Sequence, residues 1–253
     1  MVLLVAAVLA LPGAAQSAMW VGGELGGNLV GSSNADLKAS APGLNASATL
    51  SGVAFDNPQV IGGLTIGYDF VNSGFGAYAW PDWMKYFSFA TDFTYNRFSI
   101  QSQNFSVSNI NVNGVTFPNT NLAANVFAPG ARLDGYMAAW TFLFMGHYGF
   151  LPDSEVPAGR VHPYVGVGPA VLWSGINSGF GFGAASATNI ALVAEGGVRF
   201  MALSNVSIDV GFRYRYATPN YDFTARIGGV PIHASLDTTV NSYTFLTRVS
   251  YHC

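Results

Sequence analysis

Residues 190–216 read IALVAEGGVRFMALSNVSIDVGFRYRY, and the period of that stretch decides the fold. In its second half Ile208, Val210, Phe212, Tyr214 and Tyr216 share one face, while Ser207, Asp209, Gly211, Arg213 and Arg215 share the other. In its first half Leu192, Ala194, Gly196, Val198 and Phe200 alternate with Ala191, Val193, Glu195, Gly197 and Arg199. A period of two is that of β-structure. The short turn Leu203-Ser204-Asn205 predicts that the two strands pair antiparallel. One face thus offers bulky apolar and aromatic groups, and the other carries charges of both signs beside glycines. Two arrangements fit this division. In a soluble sheet the charged face is solvated and the apolar face packs on a core. In an outer-membrane barrel the apolar face meets lipid, and Glu195, Arg199, Asp209 and Arg213 pair inside a narrow lumen.

Composition favours the second. Of the 253 residues, 50% are hydrophobic, 14% aromatic and only 9% charged, against roughly 25% charged in ordinary soluble domains. Mean hydropathy is positive. Yet no stretch reaches the ~20 apolar residues that a bilayer-crossing helix needs; the nearest, 136–151, is broken by Gly146, His147 and Gly149. High hydrophobicity without a spanning helix predicts a barrel. The net charge of −3 gives neither a nucleic-acid footprint nor a basic membrane-surface patch. The single cysteine, Cys253, rules out an internal disulfide or a CxxC motif. No metal site and no cofactor is expected.

The apolar run 2–11, then Pro12-Gly13 and the small residues Ala14, Ala15, Ser17 and Ala18, predict a secretory signal over residues 1–18. Cleavage is expected near 15–18, leaving 19–253 as the barrel. The basic residues that usually open such a leader do not precede it; the first is Lys38.

Eight strand-like segments follow: 19–30, 60–70, 85–100, 132–148, 161–173, the two of the opening hairpin, and 241–253. In the third, Phe87, Phe89, Thr91, Phe93 and Tyr95 oppose Ser88, Ala90, Asp92, Thr94 and Asn96. In the last, Tyr243, Phe245, Thr247, Val249 and Tyr251 oppose Thr244, Leu246, Arg248, Ser250 and His252. The fourth is apolar on both faces, so its orientation is not assigned. Stretches 31–57, 101–125, 175–187 and 218–237, rich in small and polar residues, read as long loops. They alternate with shorter connections, as in an up-and-down barrel with loops at one end and turns at the other. The connection 71–83 is longer than that scheme asks for. Phe87 to Tyr95 and Tyr243 to Tyr251 each place two same-face aromatics eight residues apart. That is about 20 Å along the normal for a tilted strand, close to the ~25 Å apolar band between aromatic girdles. Phe212 and Tyr214 join these four as expected lipid-facing aromatics.

An eight-stranded lumen holds little beyond packed side chains, and an isolated charge there is costly. Glu195, Arg199, Asp209, Arg213, Arg215 and Arg248 are therefore expected to form paired networks with a structural role; a gated polar path is the functional alternative. The inward glycines Gly22, Gly67 and Gly211 are expected to make room for the arginines.

His162 to Ala170 (HPYVGVGPA), Glu195 to Arg199 (EGGVR), Gly211 to Tyr216 (GFRYRY) and the final alternating strand resemble the OmpA/OmpX-type small outer-membrane β-barrel family. The resemblance covers essentially the whole mature chain. It implies an all-β, eight-stranded antiparallel up-and-down transmembrane β-barrel with both ends in the periplasm. It also implies insertion by the outer-membrane assembly machinery, and contact with outer-membrane lipid and lipopolysaccharide. Such barrels usually end in an aromatic residue, whereas this sequence ends in Cys253, with Tyr251 on the lipid-facing side.

Two other classes compete. Lipid A-modifying barrels of the deacylase kind carry a His-x-Ser-Asn arrangement, which none of His147, His162, His233 or His252 provides. A soluble lipocalin-like barrel would turn its aromatics inward and its charges outward. Few charges, glycines on the charged face and Asn/Ser-rich loops oppose it. The expectation is a non-enzymatic outer-membrane barrel with an envelope-structural role or a surface role, in which loops contact host or phage; a narrow pore for small solutes is the alternative.

Overall fold

A computed structural model describes residues 19–70, 80–101, 105–117, 122–124, 132–177, 184–227 and 230–253. The leader expected over 1–18 lies outside the described residues. Eight long strands close into an antiparallel barrel: β1 (Met19–Val30), β4 (Gln59–Asp69), β5 (Phe87–Gln101), β9 (Arg132–His147), β10 (Val161–Asn177), β11 (Ala184–Leu203), β12 (Val206–Ala217) and β15 (Val240–His252). Each pairs with its sequence neighbour around the ring, and β15 returns to pair with β1, leaving no open edge.

Period two sets the wall as the sequence predicts. Leu25, Leu64, Phe93, Val167, Leu192, Phe212 and Phe245 stand on the exterior, while their strand neighbours Glu24, Thr65, Asp92, Val193, Arg213 and Leu246 are buried within. Tyrosines gather on the exterior toward one end, with Tyr95 stacked on Tyr136 at 6.4 Å and Tyr214 against Tyr243 at 5.4 Å. Polar atoms on this surface find partners within it. Trp140 Nε1 donates to Thr91 Oγ1 at 2.7 Å, and Tyr214 Oη donates to Asn241 Oδ1 at 2.7 Å. That economy suits hydrocarbon, where no water is available to satisfy them. The lipocalin-like arrangement is the reverse of the one observed. The orientation of β9, ambiguous in sequence, is settled: Met137, Ala139, Thr141, Leu143 and Met145 point inward, and Tyr136, Trp140 and Phe144 outward.

Three of the predicted loops are corrected. The stretch 31–57 contains the hairpin β2 (Ser33–Ala41) and β3 (Leu44–Val53), and 101–125 contains β6 (Phe105–Val112), β7 (Val115–Phe117) and β8 (Leu122–Ala124). The stretch 218–237 contains β13 (Asn220–Ile227) and β14 (Val230–Thr238). These seven strands form one further sheet beyond the hairpin end of the barrel. Most of the fourth predicted loop, 175–187, is strand as well, because β10 and β11 run on past Trp173 and before Ile190; residues 178–183 lie outside the described residues. The physical signals were present in miniature. Asn113 (φ 50°) and Gly114 (φ 86°) make the Asn-Gly turn that joins β6 to β7, which is the strongest short hairpin signal in a sequence. Pro42-Gly43, with Gly43 at φ 76°, turns β2 into β3.

In the other direction, the connection 70–86 between β4 and β5 includes a short 3₁₀ helix, Asp82–Tyr86, and the turn between β11 and β12 is only Ser204-Asn205. Between β9 and β10 a compact turn is pinned by Asp153, whose Oδ1 accepts from the Glu155 and Val156 amides at 2.9 and 2.7 Å. Its other oxygen pairs with Arg160, which also reaches Glu155 Oε2 at 2.7 Å.

Candidate functional site

The chemistry of this molecule is concentrated in the lumen. β12 and β5 are four places apart in either direction around the ring, so they face each other across the axis. Arg213 on β12 spans that gap: Nη1 and Nη2 donate to Asp92 Oδ1 and Oδ2 on β5 at 3.0 and 2.7 Å. Its Nε donates to Glu195 Oε2 on β11 at 2.7 Å. A guanidinium fork suits this double engagement of carboxylates. Arg248 on β15 donates from Nη2 to Glu24 Oε2 at 2.8 Å and to Glu195 Oε1 at 3.2 Å. Tyr164 Oη donates to the same Glu195 oxygen at 3.1 Å. The Arg213 side chain is 0% exposed, as are Glu24, Asp92 and Glu195. A diametric tie of this kind crosses the lumen at the level of Arg213.

A second tier lies toward the turn end. Arg199 Nε donates to Asp209 Oδ2 at 3.3 Å, and its Nη1 is 3.7 Å from Asp69 Oδ2. The Arg199 guanidinium sits over the Trp20 ring at 4.6 Å, a cation–π contact. Trp20 Nε1 in turn donates to Asp69 Oδ1 at 3.3 Å. On the hairpin side of Arg213 a neutral layer takes over: Asn28 and Asn96 both donate to Gln59 Oε1, at 3.2 and 2.7 Å, and Thr244 Oγ1 donates to Asn28 Oδ1 at 2.7 Å.

Of the six lumenal residues predicted from sequence, Glu195, Arg199, Asp209, Arg213 and Arg248 come together in these ion pairs. Arg215 departs from the prediction. It is buried, but its hydrogen bond among the described residues is to a neutral group, Nη2 to Thr94 Oγ1 at 3.3 Å, and no carboxylate pairs with it there. Its position two residues along β12 lifts it out of the carboxylate layer into the neutral one. Glu24 and Asp92 were not counted in the predicted cluster, although both alternate onto inward faces in strands the sequence resolves. Trp20 and Tyr164 carried no charge signal to mark them.

The glycines have a different purpose from the one predicted. A Cβ on Gly67 would run into the Trp20 ring, one on Gly211 would come within 2.7 Å of the Tyr164 hydroxyl, and one on Gly22 would run into the Ser250 Oγ. They make room for aromatic rings and for a close neighbouring strand, not for arginines. The predicted lipid-facing aromatics Tyr95, Phe212, Tyr243 and Tyr251 are on the exterior and well exposed, and Phe87 and Tyr214 are on the same side but half covered by neighbours.

One Ser–His pair is formed: His252 Nε2 lies 3.1 Å from Ser207 Oγ. Ser207 is 0% exposed, so no substrate reaches its hydroxyl. The rings of His147 and His162 lie 5.9 Å apart at a tilt of 53° beside the β9–β10 turn, where His162 Nε2 donates to Gly159 O at 2.7 Å. His233 lies in the second sheet, 3.5 Å from Thr224 Oγ1. Among the described residues, the Ser207–His252 contact is the one histidine–serine hydrogen bond.

The same closed ring occurs in solved structures. The outer membrane protein OprG from Pseudomonas aeruginosa matches over 93% of this chain and 96% of its own, with a TM-score of 0.52 at 13% identity. The fold is that of an outer-membrane β-barrel. Neisserial surface protein A covers 94% and 98% at 16% identity (TM-score 0.46), and the outer membrane protease OmpT from Escherichia coli 93% and 96% at 7% (TM-score 0.44). No family model matches the chain, and no curated protein matches it. At such identities the likeness concerns the fold alone.

Proposed function

We propose that this chain is a non-enzymatic integral protein of the outer membrane, a closed anchor that holds a β-structured surface outside the cell. The observation that carries this is the Arg213–Asp92 tie across the barrel axis, with Glu195, Glu24 and Arg248 packed around it. A wide pore is kept open by lumenal groups that face water; here the middle layer is consumed by mutual pairing. Short turns face the periplasm in such barrels, so the turn end is assigned to the periplasm and the seven-stranded sheet to the exterior. The sheet's outward face, with Asp36, Lys38, Ser40, Asn45 and Ser47, is polar and offers a surface to lipopolysaccharide, host or phage. Kinship with the OmpA/OmpX type rests on the HPYVGVGPA, EGGVR and GFRYRY segments, which lie in β10, β11 and β12. Insertion by the outer-membrane assembly machinery follows from the same kinship. Purified protein in a planar bilayer tests the proposal. A closed anchor passes no steady current, whereas a stable conductance step makes the chain a narrow pore.

A further inference from the structure

We infer that Asn113 is a site of spontaneous covalent modification, at which the backbone displaces the side-chain amide and releases a clasp between two turns of the second sheet. Asn113-Gly114 is the only Asn-Gly pair in the 253-residue sequence. Glycine matters at the second position because the attacking group is the next residue's backbone nitrogen, which a following side chain would obstruct and a residue without Cβ leaves open. Water reaches the pair, since both residues are exposed at the tip of the β6–β7 hairpin. The inference goes beyond the anchor reading and does not depend on it.

In the closed tip every group that must move for the reaction is engaged. Asn113 Oδ1 accepts from the Asn45 amide at 2.7 Å, and Asn113 Nδ2 donates to Gly43 O at 3.2 Å. The Asn113 amide donates to Asn45 O at 2.8 Å, which makes the link to the start of β3 two-way. The attacking nitrogen is held as well. The Gly114 amide donates to Asn111 Oδ1 at 2.9 Å, while Asn111 Nδ2 donates to Thr116 Oγ1 at 3.0 Å. One side chain thus fastens the Pro42-Gly43 turn to the Asn113-Gly114 turn, and opening of the tip gates the chemistry. Once the tip opens, Gly114 N bonds to Asn113 Cγ, and its proton passes to Nδ2 as the Cγ–Nδ2 bond breaks and ammonia leaves. Water then opens the resulting five-membered imide. Cleavage at the side-chain carbonyl gives aspartate; cleavage at the backbone carbonyl gives isoaspartate. One water enters and one ammonia departs, with no oxidant or cofactor. Aspartate puts a carboxylate oxygen where Nδ2 had donated, against Gly43 O. Isoaspartate adds one main-chain atom to a tight turn closed by the Val112–Val115 pair. Neither product regains the amide, so the clasp is lost for good.

Peptide mass spectrometry of the detergent-purified full chain, incubated in mildly alkaline buffer before digestion, tests this. The peptide containing Asn113 gains the mass difference between an amide and an acid, and its fragmentation reveals isoaspartate. Folded wild type should convert at least about tenfold more slowly than the same chain held unfolded in urea. Asn111→Ala frees the Gly114 amide and should speed conversion of the folded chain about fivefold. Asn111→Asp keeps the acceptor and should stay near the wild-type rate. Asn113→Asp reproduces one product, and protease should cut it within β2–β3 or β6–β7 sooner than wild type, with the heat-modifiable gel shift of the barrel intact. If Asn111→Ala loses that gel shift, the folded and unfolded wild-type rates and the Asn113→Asp digest decide the matter. Equal rates in folded and unfolded wild type overturn the inference, as does an unfolded chain that converts no faster at Asn113 than at its other asparagines. A folded Asn111→Ala chain that converts at the wild-type rate, or an Asn113→Asp sheet as resistant as wild type, overturns it too.

Discussion

The two halves of the barrel interior are filled by opposite means. From Arg213 toward the turn end the inward positions carry ion pairs: Arg213 with Asp92 and Glu195, Arg248 with Glu24, Arg199 with Asp209. Toward the hairpin end the same inward positions carry Phe98, Ile100, Ile176, Ala185, Ala187 and Val240, and Tyr221 reaches in from β13 to donate to Ser174 Oγ at 2.8 Å. Phe55 packs edge-on against Phe98 at 5.6 Å, and Phe223, Leu50 and Leu236 extend that apolar cap into the second sheet. The wall is the same in both halves; only the filling changes. Within the membrane the exterior is already apolar, so the inward face can be polar only where its charges satisfy one another. Toward the hairpin end the inward face becomes an ordinary hydrophobic core that gives the second sheet something to pack on.

Substitutions sharpen this contrast. Arg213→Met removes a cation that serves both Asp92 and Glu195, leaving buried carboxylates short of partners. A loss of about 3–5 kcal/mol is expected, read as a lower urea midpoint for unfolding of the lipid-embedded barrel. Tyr221→Ala opens a cavity in the apolar cap and should cost about 3 kcal/mol. The loss should be felt first as protease cleavage within β13–β14, with the barrel intact. Tyr221→Phe, losing only the bond to Ser174, should cost about 1 kcal/mol. Arg215→Met is the discriminating case, because Arg215 shares the burial of Arg213 without a carboxylate. It should be neutral or stabilising within about 1 kcal/mol; a loss as large as that of Arg213→Met would mean that the neutral layer is electrostatically part of the ionic one.

The smallest effect lies outside the membrane. Hydrogen bonds from the Val156 amide, then from Arg160, hold the Asp153 carboxyl below its usual pKa. A depressed folded-state value stabilises the turn at pH above the unfolded carboxylate's ~3.9, and that contribution is lost as pH falls through the lowered folded value. Wild type should therefore exceed Asp153→Asn in urea midpoint at pH 6, and the gap should close as pH drops below about 4; a gap independent of pH would show that the turn does not depend on the charge.

How much of this the sequence disclosed follows from contrast between faces. Where Phe212 alternates with Arg213, or Phe245 with Leu246 and Thr244, a residue's side of the wall is legible at once. The barrel strands and five of its lumenal charges were recoverable on that basis. In β2 and β3 the two faces differ only as Ala35, Leu37 and Ala39 differ from Asp36, Lys38 and Ser40, and as Ala46 and Ala48 differ from Asn45 and Ser47. Small apolar and small polar residues blur together, so this hairpin reads as a loop despite its Pro42-Gly43 turn. Partnership across the lumen was less legible still. Asp92 and Arg213 are 121 residues apart in sequence, and only closure of the ring brings β5 opposite β12.

Everything above depends on which side of the wall each neighbour occupies, and adjacent residues of β15 test it most directly. Spin labels attached after Phe245→Cys and Leu246→Cys substitution, in the protein reconstituted into phospholipid bilayers, report their surroundings by collision with oxygen dissolved in the membrane. The label at 245 should relax strongly and the label at 246 weakly. The reverse order, or equal relaxation at both, would contradict an exterior given to lipid and an interior closed by paired charges.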